Sequence, residues 1–163
     1  SDAYRQQFGF NSISVVPTNL YGPHDNFNPE TSHVIAGIIL KIFNAQRSDL
    51  DKITLWGDGH PTRDFLFVED AARGIVLAGE KYEGESIINL GSEQEISIKD
   101  LAGTIAKIMN FSGQITWDNT KPNGQPRRCV SNQKAKENFG FEAEISLEDG
   151  LQKTIDWYVS QNN

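Results

Sequence analysis

The sequence has one cysteine, one methionine and no hydrophobic run long enough to span a bilayer. Because Cys129 has no partner in the chain, no intrachain disulfide can form, and neither CxxC nor HExxH spacing suggests a metal site. Basic residues are in the minority, with 15 Lys and Arg against 22 Asp and Glu and a net charge of −7. This charge disfavours nucleic-acid phosphates. The sequence therefore predicts a cytoplasmic protein without a membrane anchor, a nucleic-acid partner or a bound metal.

Three signatures of cofactor binding and catalysis are also missing. Gly57-Asp58-Gly59 is followed by Thr62 where the dinucleotide fingerprint G-x-G-x-x-G needs its third glycine. No serine lies in a G-x-S-x-G turn, which excludes the nucleophile elbow of α/β-hydrolases. None of the 4 tyrosines has a lysine four residues later, so no Tyr-x-x-x-Lys pair is present. The chain holds no complete hydride-transfer site of its own.

The chain has 163 residues, of which 37% are hydrophobic, enough for one domain with a substantial core. Helical and strand periodicities alternate along it, which predicts an α/β fold. The breaker-rich segment 18–29 is predicted to be a loop, and 57–61 to be a hairpin-like connection. The predicted helices are an N-terminal one ending at Gly9, 33–47 capped by Ser32, 69–81, one capped by Ser97, 131–138 and 147–159; the predicted strands are 13–16, 53–56, 63–68, 87–90 and 115–117.

Four groups of side chains suggest chemistry, and each also has a plain structural interpretation. His33, at a helix start, is placed to be a general acid or only to fill space. Trp56 and Arg63 offer a stacking plane and a bidentate donor for a nucleotide, or a structural Trp beside a salt-bridged Arg. The loop 121–128 ends in two arginines and suits a diphosphate clamp or a solvated turn. Lys41 lies on the polar side of its helix, where most lysines only contact water.

Six motifs together resemble one family. They are Asn19-Leu20-Tyr21-Gly22-Pro23-His24-Asp25-Asn26-Phe27, Ser32-His33-Val34-Ile35, Trp56-Gly57-Asp58-Gly59, Arg63-Asp64-Phe65-Leu66-Phe67-Val68-Glu69-Asp70, Asn89-Leu90-Gly91 and Lys121-Pro122-Asn123-Gly124-Gln125-Pro126-Arg127. The N-L-Y-G-P and R-x-F-L-x-V-x-D elements are shared by many extended short-chain dehydrogenase/reductases. The combination of the first, second and last motifs is more specific, and the whole chain resembles the C-terminal half of the GDP-L-fucose synthases.

The resemblance implies an α/β fold: the C-terminal substrate-binding domain of an extended short-chain dehydrogenase/reductase plus the last strands and helices of its Rossmann sheet. Residues 1–163 would form one substrate-binding region, with 1–17 and about 65–91 belonging to the Rossmann layer. In this family the Cys that partners the catalytic His, and the Ser, Tyr and Lys of hydride transfer, precede the position matched by Ser1. The family further implies NADP(H) as cofactor, a GDP-sugar as substrate and a homodimer in the complete enzyme.

Matched position by position, the resemblance also implies roles for individual residues. His33 would be the catalytic acid of a 3,5-epimerisation and would approach the cofactor. The residues implied to contact the cofactor are Pro17, Thr18, Asn19, Leu20 and His33, and those implied to contact the GDP-sugar are Asn19, Lys41, Trp56, Arg63 and Arg128. The sequence departs from the family pattern at three positions, with Ala36 in place of Pro, Asn123 in place of Asp and Arg128 in place of Lys.

The predicted function is that of the substrate-binding half of an NADPH-dependent epimerase/reductase that converts GDP-4-keto-6-deoxy-mannose to GDP-L-fucose. Alone, the chain is expected to have no oxidoreductase turnover. Two alternatives stay open: part of another nucleotide-sugar epimerase or dehydratase, and a non-catalytic nucleotide-sugar binding module. A 4-epimerase needs no acid at His33, so this residue separates the first alternative from the predicted function. The preference for guanine rests on the resemblance alone.

Overall fold

The computed structural model describes residues 2–162 and has a mixed α/β architecture. Helices and strands alternate over most of this range, as the sequence predicts. The helices are α1 (Asp2–Phe8), α2 (Val34–Arg47), α3 (Val68–Lys81), α4 (Ile98–Ile108), α5 (Gln133–Phe139) and α6 (Leu147–Asn162). The strands are β1 (Val15–Pro17), β2 (Asn19–Tyr21), β3 (Lys52–Trp56), β4 (Thr62–Phe67), β5 (Ile88–Leu90), β6 (Glu95–Ser97), β7 (Gln114–Asp118) and β8 (Arg127–Arg128).

Strand β4 pairs with three other strands, β2, β6 and β8. Its second half runs parallel to β2, with Phe65 opposite Asn19. Its first half pairs with two strands, antiparallel to β6 and parallel to β8, so that Arg63 lies opposite Arg128. Separate two-stranded parallel ladders join β1 to β5 and β3 to β7. Most pairings are therefore parallel, as helix-linked strands require.

Two of the sequence predictions about connections are wrong. The segment 57–61 is not a hairpin connection, because β3 pairs with β7 while β4 pairs with β2, β6 and β8. The predicted loop 18–29 begins too early, since Asn19–Tyr21 forms β2 and the glycine and proline breakers start only at Gly22. Both errors have one cause: a partner strand that is distant in sequence decides whether a short extended segment becomes part of a sheet.

Helix capping follows the prediction at one helix and departs from it at another. Ser97 caps α4, with its hydroxyl accepting the backbone N–H of Asp100 at 3.0 Å. Ser32 does not cap α2; the N-cap position is His33, whose side chain makes no capping hydrogen bond. The imidazole at this helix start is therefore available for other contacts. Strands β6 and β8 were not predicted, because segments of three and two residues carry too little pattern.

The core consists of two hydrophobic clusters. The larger one packs α2, α4 and α6 against β3 and β4, with Ile39, Ile42 and Leu101 fully buried. The smaller one packs α3 and α5 around β5 and includes Leu90 and Phe141. The prediction that 1–17 and about 65–91 belong to a cofactor-binding layer stays a prediction.

A face of the smaller cluster's elements carries apolar side chains that nothing in residues 2–162 covers. Ile75 and Val76 on α3 and Ile87 before β5 are each at least half exposed. Phe8 and Phe10, at and after the end of α1, are exposed to a similar degree. Several exposed large apolar side chains on the elements of one cluster are consistent with a surface that contacts another protein region.

The buried carboxylate of Asp70 joins α3 to the segment that precedes α6. One oxygen accepts a hydrogen bond from Arg73 at 2.9 Å, and the other accepts the backbone N–H groups of Glu144 and Ile145 at 3.0 and 2.9 Å. Asp70 is only 3% exposed, so the charge depends on these donors. The first turn of α3 is thereby tied to the chain 74 residues later.

Replacing Asp70 with Asn is expected to destabilise the protein by about 3 kcal/mol, because an amide nitrogen then faces N–H donors at a buried position. Urea unfolding followed by tryptophan fluorescence measures the change. Glu80→Gln, at an exposed position of α3, is the matched control and should shift the free energy of unfolding by less than about 0.5 kcal/mol. A D70N variant as stable as the control would contradict the role given to Asp70.

Candidate functional site

The residues that join β1 to β2 are anchored to the end of β5 and to the middle of β4. The Thr18 amide donates to the Leu90 carbonyl at 2.8 Å, and its hydroxyl donates to the Asp64 carbonyl at 3.1 Å. The same Asp64 carbonyl accepts the Asn19 side-chain amide at 2.8 Å. Ligands in open α/β sheets bind outside the carboxyl ends of strands. The Thr18-Asn19 segment is therefore held at an edge where a ligand is expected.

Two cavities meet beside this segment. The first, here called the arginine cavity, has a volume of about 530 Å³ and is lined by Thr18, Asn19, Leu20, His33, Arg63 and Arg128 among others. The second, here called the tryptophan cavity, has a volume of about 320 Å³ and is lined by His33, Lys41 and Trp56 among others. His33 and Val34 line both cavities. The structure thus brings together eight of the nine predicted site residues; Pro17 lines neither cavity.

His33 stands at the junction of the two cavities. It precedes α2 in an extended conformation, with φ −76° and ψ 170°, and its carbonyl accepts the amide of Gly37. Within the described residues its ring makes no hydrogen bond or ion pair. An exposed imidazole with free ring nitrogens can give a proton to, or take one from, a ligand in either cavity.

The arginine cavity contrasts with the net negative charge of the chain. Arg63 is half-buried, and its guanidinium is steadied by donating to the Thr62 carbonyl at 2.7 Å. Arg128 comes from β8, which lies alongside β4. The N-terminus of α2 also lies at this cavity, and the backbone N–H groups of a helix N-terminus favour anions. Two guanidinium groups and a helix N-terminus form a cationic wall suited to phosphate groups.

One acidic residue, Asp25, also lines the arginine cavity. One of its carboxylate oxygens accepts the Asn26 amide at 2.7 Å, and the other is buried without a partner in residues 2–162. The sequence analysis did not single out Asp25, because an Asp in a breaker-rich loop is most simply a turn residue. This carboxylate oxygen beside the cavity is positioned to accept a hydrogen bond from a hydroxyl group of a polar ligand.

Two different elements contribute Lys41 and Trp56 to the tryptophan cavity: Lys41 lies on α2, and Trp56 is the last residue of β3. The Lys41 ammonium donates to the Thr54 carbonyl at 2.6 Å, which fixes the helix side chain against β3, and burial lowers the pKa of this lysine. Trp56 ends β3 and is 67% exposed, an unusual degree for so large an apolar ring. One face of the indole has the Lys121 ammonium over it. An exposed indole that lines a cavity is suited to stacking a flat ligand ring on its other face.

The residues between β7 and β8, 119–126, form a strap across this region. Lys121 places its ammonium 5.7 Å from the centre of the Trp56 ring. In the middle of the strap, the Asn123 side-chain oxygen accepts the Asp58 amide at 2.8 Å. Gly57 is in the left-handed region at φ 78°, and a Cβ there would overlap Asn123. The strap is therefore fitted closely to the turn that follows Trp56.

The ends of the strap are fixed by charged groups. Arg127 forms a bidentate ion pair with Glu95, with its Nη2 2.8 Å from Oε2. Hydrogen bonds from Arg127 and Thr62 lower the pKa of Glu95. Hydrogen bonds from the His60 amide and the Asn123 side chain likewise lower the pKa of Asp58. Asn123, noted in the sequence as a departure from the family pattern, is thus a structural tie between the strap and the turn.

Sequence reasoning missed the buried side chain that supports the site. Asp64 is 0% exposed, and one of its oxygens accepts the amide and hydroxyl of Ser92 at 3.0 and 2.6 Å. The other oxygen has no partner in the described part of the chain and lies against Gly91, where a Cβ would collide with it. A charged residue inside an apolar strand was the available signal for this residue.

Neither a metal cluster nor a membrane-spanning helix is present within residues 2–162. No group of three or more His, Cys, Asp or Glu side chains is arranged to hold a metal ion. No helix in the same range is long and apolar enough to cross a membrane.

The chain belongs to the NAD dependent epimerase/dehydratase family, whose model matches residues 1–91. Among curated proteins, it is 41% identical to the probable GDP-L-fucose synthase 1 of Oryza sativa subsp. japonica over 157 residues, covering 96% of this chain and 48% of the relative. It is 42% identical to the GDP-L-fucose synthase of Sinorhizobium fredii, covering 97% and 50%. The chain spans about half the length of the curated relatives it matches.

Solved structures support the same fold. A GDP-L-fucose synthetase from Naegleria fowleri superposes with a TM-score of 0.85 at 37% identity over 92% of this chain and 46% of that one, and an NADP-bound form matches equally well. The UDP-glucose 4-epimerase of Thermotoga maritima superposes with a TM-score of 0.88 at 23% identity, covering 99% and 50%. At 23% identity, the similarity to the UDP-glucose 4-epimerase shows only a shared fold. The predicted fold class and family resemblance are confirmed.

Replacing Asn123 with Ala is expected to free the strap, because the Asp58 amide loses its acceptor. Exchange of the Asp58 amide proton, followed by NMR, should become roughly tenfold faster. Gln125→Ala is the matched control, since Gln125 lies in the same strap and makes no hydrogen bond in the described residues. If Asp58 exchanges at the same rate in both variants, Asn123 does not tie the strap to the turn.

Proposed function

We propose that this chain is the substrate-binding part of an NADP(H)-dependent epimerase/reductase that converts GDP-4-keto-6-deoxy-mannose to GDP-L-fucose. The observation that carries the proposal is the pair of joined cavities with His33 at their junction. The 41–42% identity to GDP-L-fucose synthases over nearly the whole chain supports this reaction over others that use the same fold. From the composition and the family resemblance we further propose that the complete enzyme is cytoplasmic and forms a homodimer.

The division of the site into two cavities matches the parts of a nucleoside-diphosphate sugar. The tryptophan cavity offers an exposed indole and mainly apolar walls, which suit a base. The arginine cavity offers Arg63 and Arg128, which suit a diphosphate, and reaches the polar Thr18-Asn19 segment, which suits a sugar. His33 lies between them, so a sugar bound beside Asn19 is within reach of its ring.

The residues present fit one end of NADP(H). The anchored Thr18-Asn19 segment and the exposed Leu20 form a wall on which a flat nicotinamide ring can lie, and His33 borders it. No glycine-rich fingerprint for the diphosphate occurs in the sequence. We therefore assign to this chain the nicotinamide end of the cofactor site. When bound, NADPH supplies the hydride that reduces the ketone.

The chemistry assigned to His33 is proton transfer. Inverting a carbon next to a ketone requires removal of a proton from one face and return of a proton to the other. The ring of His33 is exposed to the cavity and lies at the end of a rigid helix, so it is placed to give the returning proton. Arg63 and Arg128 hold the diphosphate and thereby fix the position of the sugar relative to the His33 imidazole.

The exposed apolar face formed by Ile75, Val76 and Ile87 supports the assignment to a larger enzyme. We propose that a cofactor-binding region packs on this face, beside the ladder of β1 and β5. The half-length coverage of the relatives agrees with this arrangement. The isolated chain is then expected to bind GDP and to consume no NADPH.

The catalytic role of His33 is tested in a hybrid protein in which this chain replaces the residues it matches in the GDP-L-fucose synthase 1 of Arabidopsis thaliana. The hybrid should form GDP-L-fucose, and His33→Asn should slow incorporation of solvent deuterium at C3 and C5 by about 100-fold or more. His60→Asn, an exposed histidine outside both cavities, is the control and should act like the parent hybrid. Unchanged epimerisation in the H33N hybrid would overturn the role of His33.

Calorimetric titration of the isolated chain tests the binding site without catalysis. GDP should release heat on binding, UDP should bind more weakly, and NADPH should bind without measurable heat, because its diphosphate finds no glycine-rich loop here. Arg63→Gln should weaken GDP binding by about tenfold, since one charged contact to phosphate is lost. Oxidation of NADPH by the isolated chain in the presence of the keto-sugar nucleotide would contradict the assignment of a half-site.

A further inference from the structure

The tryptophan cavity has a second charged residue at its rim that neither the sequence motifs nor the proposed mechanism uses. Glu30 lines this cavity together with Lys41 and Trp56. Its carboxylate is exposed and makes no hydrogen bond or ion pair with any residue of the described range 2–162. A free carboxylate at the mouth of a largely apolar cavity is available to a ligand.

The loop that carries Glu30 is held in place by its own side chains. The Glu30 amide donates to the Asn28 side-chain oxygen at 2.9 Å, and the Ser32 amide donates to the Asn28 carbonyl at 2.8 Å. The Asn26 side-chain amide donates to the Thr31 hydroxyl at 2.9 Å. This network fixes the backbone of Glu30 shortly before α2, so that contact with a ligand needs to order only the Glu30 side chain and not the loop.

The walls of the cavity favour a flat ring. Trp56 exposes its indole at one side, and Leu55, Ile38 and Ile98 provide apolar surface. The volume of about 320 Å³ lies within the roughly 300–1,000 Å³ range of small-molecule sites. A heteroaromatic base stacked on Trp56 would share this cavity with the two charged lining residues, Glu30 and Lys41.

The two charged residues that line the tryptophan cavity are a hydrogen-bond acceptor, Glu30, and a hydrogen-bond donor, Lys41. Lys41 uses one of its three ammonium protons on the Thr54 carbonyl and keeps the others, while Glu30 offers two acceptor oxygens. Lys41 and Glu30 form no ion pair with each other in residues 2–162. The cavity thus presents a separate cation and anion to one ring edge.

We propose that the Glu30 carboxylate recognises guanine by accepting hydrogen bonds from the N1–H and N2–H groups of the base, and that the Lys41 ammonium donates to the neighbouring O6. Guanine carries an acceptor followed by two donors along this edge, and one carboxylate can accept both donors. Uracil has one N–H between two carbonyl oxygens, and adenine has a bare ring nitrogen beside its amino group. Both would leave Glu30 facing an acceptor. This assignment rests on the proposed function and adds the residue that selects the base.

Inosine diphosphate is the sharpest probe, because it differs from GDP only by lacking the N2 amino group. Calorimetry with GDP, IDP and UDP is carried out on the isolated chain and on the hybrid protein described above. We expect GDP to bind about tenfold more tightly than IDP, and Glu30→Gln to reduce this ratio to about one. Glu30→Asp should keep part of the preference. Glu80→Gln, an exposed substitution far from both cavities, should leave the ratio unchanged.

The outcomes separate the two proposals. Equal binding of GDP and IDP by the parent protein, or an unchanged ratio in E30Q, would overturn the role of Glu30 while leaving the proposed function in place. Binding of UDP as tight as that of GDP would overturn it as well. Absence of binding by every nucleotide in both proteins would overturn the proposed function and, with it, the reading of the base by Glu30.

Discussion

The arrangement of the site depends on how Asp64 is held in the middle of β4. Its carbonyl receives the Thr18 and Asn19 side chains, and its buried carboxylate receives Ser92. One residue therefore ties the end of β1, the start of β2 and the segment after β5 to a single strand. Because Arg63 precedes it on the same strand, the position of the cationic wall is fixed by the same backbone.

The charge distribution explains how an acidic chain can hold an anionic ligand. The net charge of −7 is spread over exposed helices and loops, where water screens it. Arg63, Arg128 and the N-terminus of α2 concentrate positive potential in one concave region, where screening is weaker. The acidic side chains that face the two cavities, Asp25 and Glu30, have carboxylate oxygens free for polar groups of a ligand.

The two hydrophobic clusters differ in how completely the described residues cover their apolar side chains. The cluster around α2, α4 and α6 closes on itself, and its central isoleucines are fully buried. The cluster around α3 and β5 leaves Ile75, Val76 and Ile87 exposed. Both cavities lie beside the closed cluster, mainly between α2, β3 and β4. The elements that would orient a nucleotide are therefore set on rigid supports.

The sequence by itself determined the alternation of helices and strands and the cap at Ser97, because local periodicity and capping are properties of neighbouring residues. The candidate site residues from Pro17 to Arg128 came from the family resemblance of the motifs and stay predictions. The sequence did not predict β2, β6 or β8, and it mistook 57–61 for a hairpin, since those features depend on partners far along the chain. The joining of two cavities at His33, the tie between Asn123 and Asp58, and the lack of a partner in residues 2–162 for one Asp25 oxygen and for the Glu30 carboxylate were decided by the tertiary structure alone. Each is a contact, or the lack of one, between segments whose distance in space no local pattern encodes.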